Sequence, residues 1–587
     1  MFNRLKNRVL TVVSPEMAMI QAPQDHHHHH HHHHHGKSHQ GHRLPEKFTY
    51  ARPPFLQLLT HDELKASADH NVRPIIVPRD ITVLPWSAGY AECVNSGKSE
   101  WNEDQGAFQR QILTHPSKQF PDLPYTYFGI FDGHAGYGAA LAAANQFHHI
   151  LHEKLVDVLD LLMPRLPTIS STDTVLPHTL LFHRSVSKDE LIIGALESAF
   201  AEMDAVLAED RDKYRNAGGC TALAALFIFG KMFVANAGDS RAVLCQRVST
   251  NLLKAQIVPQ ELKAPVTSSD PGDDKTYRIF PIPFSHDHTP DTEKARLLST
   301  AKINPTFMGG DYIAMEYAKK PMTKDLGTRI LYRQGTMKGW AYKTLTREDL
   351  KMPIVTGEGK RSRLLGTIGV TRGFGDHDLR AIGSNQPIKP FLSCHPEVTY
   401  RDLSKVISIP GEENEDGDYG ILVMATDGLW DVADSETVAR TVFQTLNKYP
   451  TEKHRYTMVA QELVAKSRGR VNESGHWRLA DSKAAATVDD ISVLVVPVYQ
   501  YYMEFLEWEK ACFERERAQE AKISLTDSET EESSNKISST SSSEDVDING
   551  IFELTNGRQE AEEEPSEQPA DKLDSFVEEA IEAKSST

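Results

Sequence analysis

The chain has 587 residues, 39% of them hydrophobic, and a formal net charge of −18. That apolar content is enough for a large core, and the acidic balance argues against a nucleic-acid binder with a broad basic face. The charge is uneven: residues 521–587 hold 18 acidic and 5 basic side chains, so this end reads as a solvated, disordered tail.

The chain opens on a short basic amphipathic pattern. At about 100° per residue, Phe2, Leu5, Val9, Val12 and Val13 share one face, with Arg4, Asn7, Arg8 and Thr11 opposite. Such a helix can lie on an anionic membrane surface. His26 to His35 follows, an unbroken run of ten histidines. It reads as low complexity with opportunistic metal binding rather than a built site, and residues 1–48 are set apart from the folded domain. No apolar run reaches the roughly 18 residues of a membrane span. The five cysteines are widely spaced, with no CxxC pair. With no signal-peptide h-region, a reducing, cytoplasmic compartment is expected.

Globular sequence occupies residues 73–500. Apolar runs at 127–131, 222–229, 232–235, 242–244, 421–425 and 491–496 predict strands. Residues 138–155 and 191–207 predict helices. Strands in pairs with nearby turns favour antiparallel sheets over a βαβ alternation, hence an α+β fold. Residues 164–188 and 248–285 read as polar insertions. Residues 292–362 hold aromatic residues among many Lys and Arg, which predicts an ordered inserted subdomain. Residues 501–522 predict a terminal helix, with the Ser/Glu tail over 523–587.

Four aspartate segments carry the chemistry. They are Phe131-Asp132-Gly133-His134-Ala135-Gly136, Ala237-Gly238-Asp239-Ser240-Arg241, Ala425-Thr426-Asp427-Gly428-Leu429-Trp430-Asp431 and Val488-Asp489-Asp490-Ile491-Ser492. In each, a strand-like run delivers an Asp. Carboxylates at strand ends, with Gly permitting close approach, suit a hard cation. Taken singly, an Asp-Gly is usually a turn, a Glu-Asp pair a solvated surface, and a His structural. Together they predict one site assembled from distant parts. Two divalent cations need a bridging carboxylate and several terminal ones. Asp132 is the natural bridge, because the Gly133 carbonyl can join it. Asp427 and Asp489 can complete one ion, and Glu103 can serve the other directly or through water. Few protein ligands and many waters suit Mg2+ and Mn2+. Water held by such a pair can attack phosphorus in line, and His134 is placed to protonate the leaving alkoxide.

Rival chemistries fail on spacing. A cysteine phosphatase needs Arg six positions after Cys, and those positions hold Ser99, Leu226, Asn251, Tyr400 and Ala518. Gly36-Lys37-Ser38 and Gly97-Lys98-Ser99 resemble the end of a P-loop, but His31 and Glu92 stand where its first Gly belongs. No Cys/His spacing suits zinc.

With these segments in place, the chain resembles the metal-dependent serine/threonine protein phosphatases of type 2C, the PPM family. The resemblance also rests on Asn102-Glu103-Asp104, Gly218-Gly219-Cys220-Thr221-Ala222 and Thr371-Arg372-Gly373-Phe374-Gly375-Asp376. Leu84-Pro85-Trp86-Ser87-Ala88-Gly89-Tyr90 and Gly339-Trp340-Ala341-Tyr342-Lys343 are similar to the H/J/M subgroup. The resemblance implies a central sandwich of two antiparallel sheets flanked by helices, with the metals at one end. It implies Glu103, Asp132, Gly133, Asp427 and Asp489 as metal ligands and His134 as general acid. Asp239, with Asp427, would hold a third, weaker Mn2+ or Mg2+. The 292–362 insertion corresponds to a flap that influences substrate choice. Many members grip the phosphate with an Arg upstream of the Glu-Asp pair. Here Lys98 stands near that place and supplies charge without a fork, with flap arginines Arg329 or Arg333 as partners in the role. The subgroup points to phosphorylated Rab GTPases as substrates, which fits a peripheral location on Golgi or vesicle membranes through residues 1–13. The rival reading is a pseudophosphatase scaffold that binds phosphoproteins.

Overall fold

The computed structural model describes residues 49–163, 186–209, 218–249, 277–334, 337–406 and 419–537. The amphipathic start, the histidine run and residues 538–587 of the tail lie outside them. The chain divides into two units, Met1–Arg517 and Ala518–Thr587.

Eleven strands build two sheets. They are β1 (Ile75–Ile76), β2 (Gly89–Cys93), β3 (Gln105–Leu113), β4 (Leu123–Phe131), β5 (Ala222–Ile228), β6 (Lys231–Ala237), β7 (Arg241–Ser249), β8 (Tyr277–Pro283), β9 (Glu397–Asp402), β10 (Gly420–Ala425) and β11 (Ile491–Pro497). One sheet runs β1-β2-β11-β10-β7-β8 and the other β9-β6-β5-β4-β3. Every pairing in both is antiparallel.

The sheets face each other across Tyr90, Phe128, Ile130, Leu223, Met424 and Leu494. The other face of the five-stranded sheet packs on α1 (Gly138–Asp157) and α2 (Lys188–Glu209), through Tyr127, Phe147 and Phe200. The six-stranded sheet packs on α3 (Ser435–Lys448) and α4 (Arg455–Arg468), through Val423, Val442, Val459 and Val493. Strands covered on both faces need apolar residues at every position rather than at alternate ones. This is why Ala222–Ile228 and Ile491–Pro497, buried throughout, read as unbroken apolar runs. Truncating the fully buried Phe128 to Ala would cost about 3–5 kcal/mol. The architecture is the α+β sandwich the sequence predicts.

Three boundaries differ from expectation. Val248–Ser285 is not all insertion, because Val248, Ser249 and Tyr277–Pro283 lie in the β7–β8 ladder, with Ser249 facing Tyr277. The subdomain expected over 292–362 has a core of its own, which continues past 362 through Leu364, Ile388 and Phe391. It carries the small sheet Met315–Tyr317, Arg329–Gln334 and Ala341–Thr344. The terminal helix, α5, spans Tyr499–Ile537, so the tail drawn from 523 begins inside it. Among the described residues, no helix is long and apolar enough to cross a membrane. All five cysteines are free.

Candidate active site

The aspartates meet because strand ends meet. Asp132 follows β4, and Glu103 lies two residues before β3, whose Gln105 faces Phe131. Asp239 follows β6. Asp427 follows β10 and Asp489 precedes β11, where Ala425 faces Val493. Antiparallel neighbours place the end of one strand beside the start of the next. Both sheets therefore deliver carboxylates to the same edge of the sandwich. Asp132, Asp239 and Asp427 each offer an oxygen within 4.8 Å of the others.

Local backbone shapes this edge. The loop after Asp132 turns through Ala135 (φ +57°) and Gly136 (φ +126°) into α1. The Gly136 N–H then donates to Glu103 Oε1 at 2.8 Å. A side chain at Gly133 would collide with the Glu103 carbonyl, so only Gly permits this approach.

The electrostatics are those of a site built for cations. Burial, then repulsion from Asp427, Asp104, Asp489 and Asp239, pushes the Asp132 carboxyl well above the usual range. Burial and then Asp239 do the same to Asp427. Asp239 is pushed up to about 7, by burial and then Asp287. Glu103 is raised by burial, an effect the Gly136 N–H partly offsets. Clustered carboxylates that resist ionising are relieved by a hard divalent cation. The donor set, oxygen throughout, fits Mn2+ or Mg2+.

His134 and Lys98 occupy different settings. His134 Nε2 lies 2.7 Å from Asp376 Oδ2. Burial works against the imidazolium, but Asp376 overcomes it and raises the His134 pKa above the usual histidine range. Lys98 is exposed and its Nζ pairs with Asp489 Oδ2. Burial opposes its charge; the fields of Asp489, Asp427 and Asp132 outweigh that and hold the ammonium well above its usual pKa. The residue expected at the phosphate is thus tied to an expected metal ligand. Arg333 is also engaged: it makes a two-pronged contact with Glu316 at 2.5 and 2.8 Å and lies over Trp340. Arg329 lies over Tyr342.

Three acidic residues take supporting parts that the sequence did not assign. Asp376 orients His134. Asp104 accepts from Thr426 Oγ1 at 2.9 Å, and that oxygen accepts from the Ser492 N–H at 3.0 Å. Asp490 takes the N–H groups of Asn95 and Glu103 at 2.7 and 3.0 Å. Each sits inside a quoted segment, but its partner lies elsewhere in the chain.

A carboxylate-rich edge between two helix-covered antiparallel sheets defines a class, and comparison with known proteins agrees with it. The family model described as Protein phosphatase 2C matches residues 168–259 and 354–473. Protein phosphatase 1H of Homo sapiens is 38% identical over 523 residues, covering 79% of this chain and 94% of the relative. Protein phosphatase 1J of Rattus norvegicus is 38% identical over 474 residues, covering 77% and 86%. Human Protein phosphatase 1J is 39% identical over 476 residues, with the same coverage. The chain belongs to the protein phosphatase 2C family, in the subgroup that includes 1H and 1J. It is a metal-dependent serine/threonine protein phosphatase, a hydrolase whose substrates are phosphoproteins.

Proposed function

We propose that hydrolysis proceeds at a binuclear Mn2+ or Mg2+ centre with a third, weaker site. The observation that carries this reading is the convergence of Asp132, Asp239 and Asp427 from two sheets within 4.8 Å. Asp132, with the Gly133 carbonyl, would bridge two ions. Asp427 and Asp489 would complete one, Glu103 would serve the other, and Asp239 with Asp427 would take the third. Such ions supply Lewis-acid charge and an activated water for in-line attack at phosphorus.

The remaining work falls to the chain's own groups. His134, kept as the imidazolium by Asp376 at Nε2, would deliver the proton of its other ring nitrogen, Nδ1, to the departing serine or threonine oxygen. Lys98 offers the phosphate a point charge beside the carboxylates. The test is hydrolysis of a phosphothreonine peptide with Mn2+ by Asp132→Asn against the natural enzyme. A fall of at least about 100-fold is expected when a bridging ligand is lost, and equal rates reject the reading.

Among phosphoproteins, the subgroup resemblance supports phosphorylated Rab GTPases as substrates. The basic amphipathic residues 1–13 support work at Golgi or vesicle surfaces. A fusion of residues 1–13 to a fluorescent protein is expected on membranes; a diffuse signal removes the location. Phospho-Rab turned over no faster than an unrelated phosphopeptide removes the substrate.

A further inference from the structure

Two buried arginines from the start of the described fold grip the peptide groups of the expected metal ligands. Arg52 lies ahead of every sandwich strand and is almost wholly buried. Its Nε and Nη2 donate to Glu92 at 2.7 and 2.6 Å. Its Nη1 donates to the carbonyls of Asn102 and Asp104 at 3.1 and 2.6 Å. Those are the residues on either side of Glu103. The Glu103 N–H is itself held by Asp490 at 3.0 Å. The backbone is thus fixed at three consecutive residues, while the Glu103 side chain accepts from the Gly136 N–H.

Arg73 treats the other ligand in the same way. It is fully buried, and its φ of +48° is rare for a residue with a side chain. Such a conformation persists where the surroundings over-determine it. Nε donates to the Val94 carbonyl at 2.7 Å, Nη1 to Thr487 at 2.8 Å, and Nη2 to the Asp489 carbonyl itself at 2.8 Å. The guanidinium lies over Trp477, 5.3 Å from the ring centre. Arg468 Nη1 donates to the Arg73 carbonyl at 2.7 Å. Desolvating a guanidinium is costly unless its donors find fixed acceptors. Here they find the Glu92 carboxylate, the Val94 carbonyl and four contacts to carbonyls at or near Glu103 and Asp489.

We propose that Arg52 and Arg73 are positioning residues of the metal centre. By locking the backbone at Glu103 and Asp489 they set how tightly cations bind, and the N-terminal segment becomes part of the site. This rests on the metal-centre reading above. A bidentate, planar donor is needed for it, so lysine is not an equivalent.

The test uses the full chain carrying Arg52→Lys or Arg73→Lys. Arg110→Lys is the control, because its partner Glu504 lies on α5, outside the site. Mn2+ affinity is measured by titration calorimetry, and melting temperature is measured in EDTA. We expect Mn2+ to bind about tenfold more weakly in both site variants and unchanged in the control. The kcat lost at low Mn2+ should return as Mn2+ is raised. Glu92→Gln, which keeps shape and one acceptor for Arg52, should weaken Mn2+ by a smaller factor and serves if the lysine variants do not fold. Lower melting temperature with unchanged Mn2+ affinity overturns the proposal. A natural enzyme that binds no Mn2+ overturns the metal-centre reading instead.

Discussion

His134 Nε2 and Asp376 Oδ2 stand 2.7 Å apart, although 242 positions separate them in the chain. Asp376 is buried, and its own φ of +56° aims it at the ring, with its N–H donating to the Gly218 carbonyl at 3.1 Å. With His134 as the proposed general acid, which works only while protonated, the rate should fall as pH rises through its pKa. Burial lowers that pKa, and Asp376 raises it by more. Asp376→Asn should therefore move the alkaline limb of kcat/KM to lower pH. At acidic pH its rate should approach that of the natural enzyme, while the deficit widens with pH. A pH profile with an unmoved alkaline limb would show that Asp376 does not poise the acid.

A substitution at Gly219 tests the proposed acid apart from the carboxylates. It pairs opposite His134 in a short ladder, and a Cβ there would lie 2.6 Å from His134 Nε2 and press on the Asp376 carboxyl. Gly219→Ala should thus push the pair off its geometry. Misplacing a catalytic group by about 1 Å costs up to about 100-fold, so kcat should fall by roughly 10- to 100-fold. Mn2+ affinity should stay near its natural value, because the change does not touch the Glu103–Gly136 contact. Calorimetry with Mn2+ beside single-turnover kinetics distinguishes this from general misfolding.

What the sequence could announce follows from how each feature is encoded. The sandwich strands were legible because burial on both faces leaves continuous apolar runs. Asp132, Asp239 and Asp427 were legible because each has a glycine beside it at the end of such a run. Asp376, Asp104 and Asp490 lie in the other quoted segments, but what they do is defined by partners far along the chain. Arg52 was hidden more deeply. It precedes residue 73, where the globular pattern was read to begin, and nothing local distinguishes it from a solvated arginine. Lys98 shows the opposite failure: its charge was legible, but its attachment to Asp489 was not.

Removing the metals should make stability depend on pH in an unusual direction. Asp239 and Asp490 are each pushed up to about 7, Asp239 by burial and then Asp287, Asp490 by burial against two backbone N–H donors. Asp132 and Asp427 are raised as well. A carboxyl whose folded pKa exceeds its unfolded value of about 4 favours folding while both states are protonated. That contribution is lost as pH rises through the folded pKa. Carboxylates held low, Glu293 and Asp349 at about 2, keep their contribution until pH falls through that value. In EDTA the melting temperature should therefore fall between pH 5 and about 8. Saturating Mn2+ should flatten the fall, because cations balance the ionised cluster. Calorimetric scans with and without Mn2+ test this; an EDTA curve that rises over the same range contradicts it.

Lys98 is placed to serve either the carboxylates or the phosphate, and two substitutions separate the roles. Its ammonium pairs with Asp489 but is well exposed, so the pair contributes at most about 1 kcal/mol to stability. Lys98→Met should lower the melting temperature in EDTA by a few degrees or less. With Mn2+ bound, the carboxylates have another counter-charge and that difference should shrink. Binding of the substrate phosphate should still suffer: losing one point charge is worth about 1.4 kcal/mol, a tenfold rise in KM. Lys98→Arg restores charge and adds a second donor, so its KM should return to the natural value or below. If Lys98→Met leaves KM unchanged at saturating Mn2+, the lysine belongs to the carboxylates alone, and the phosphate is held by other donors.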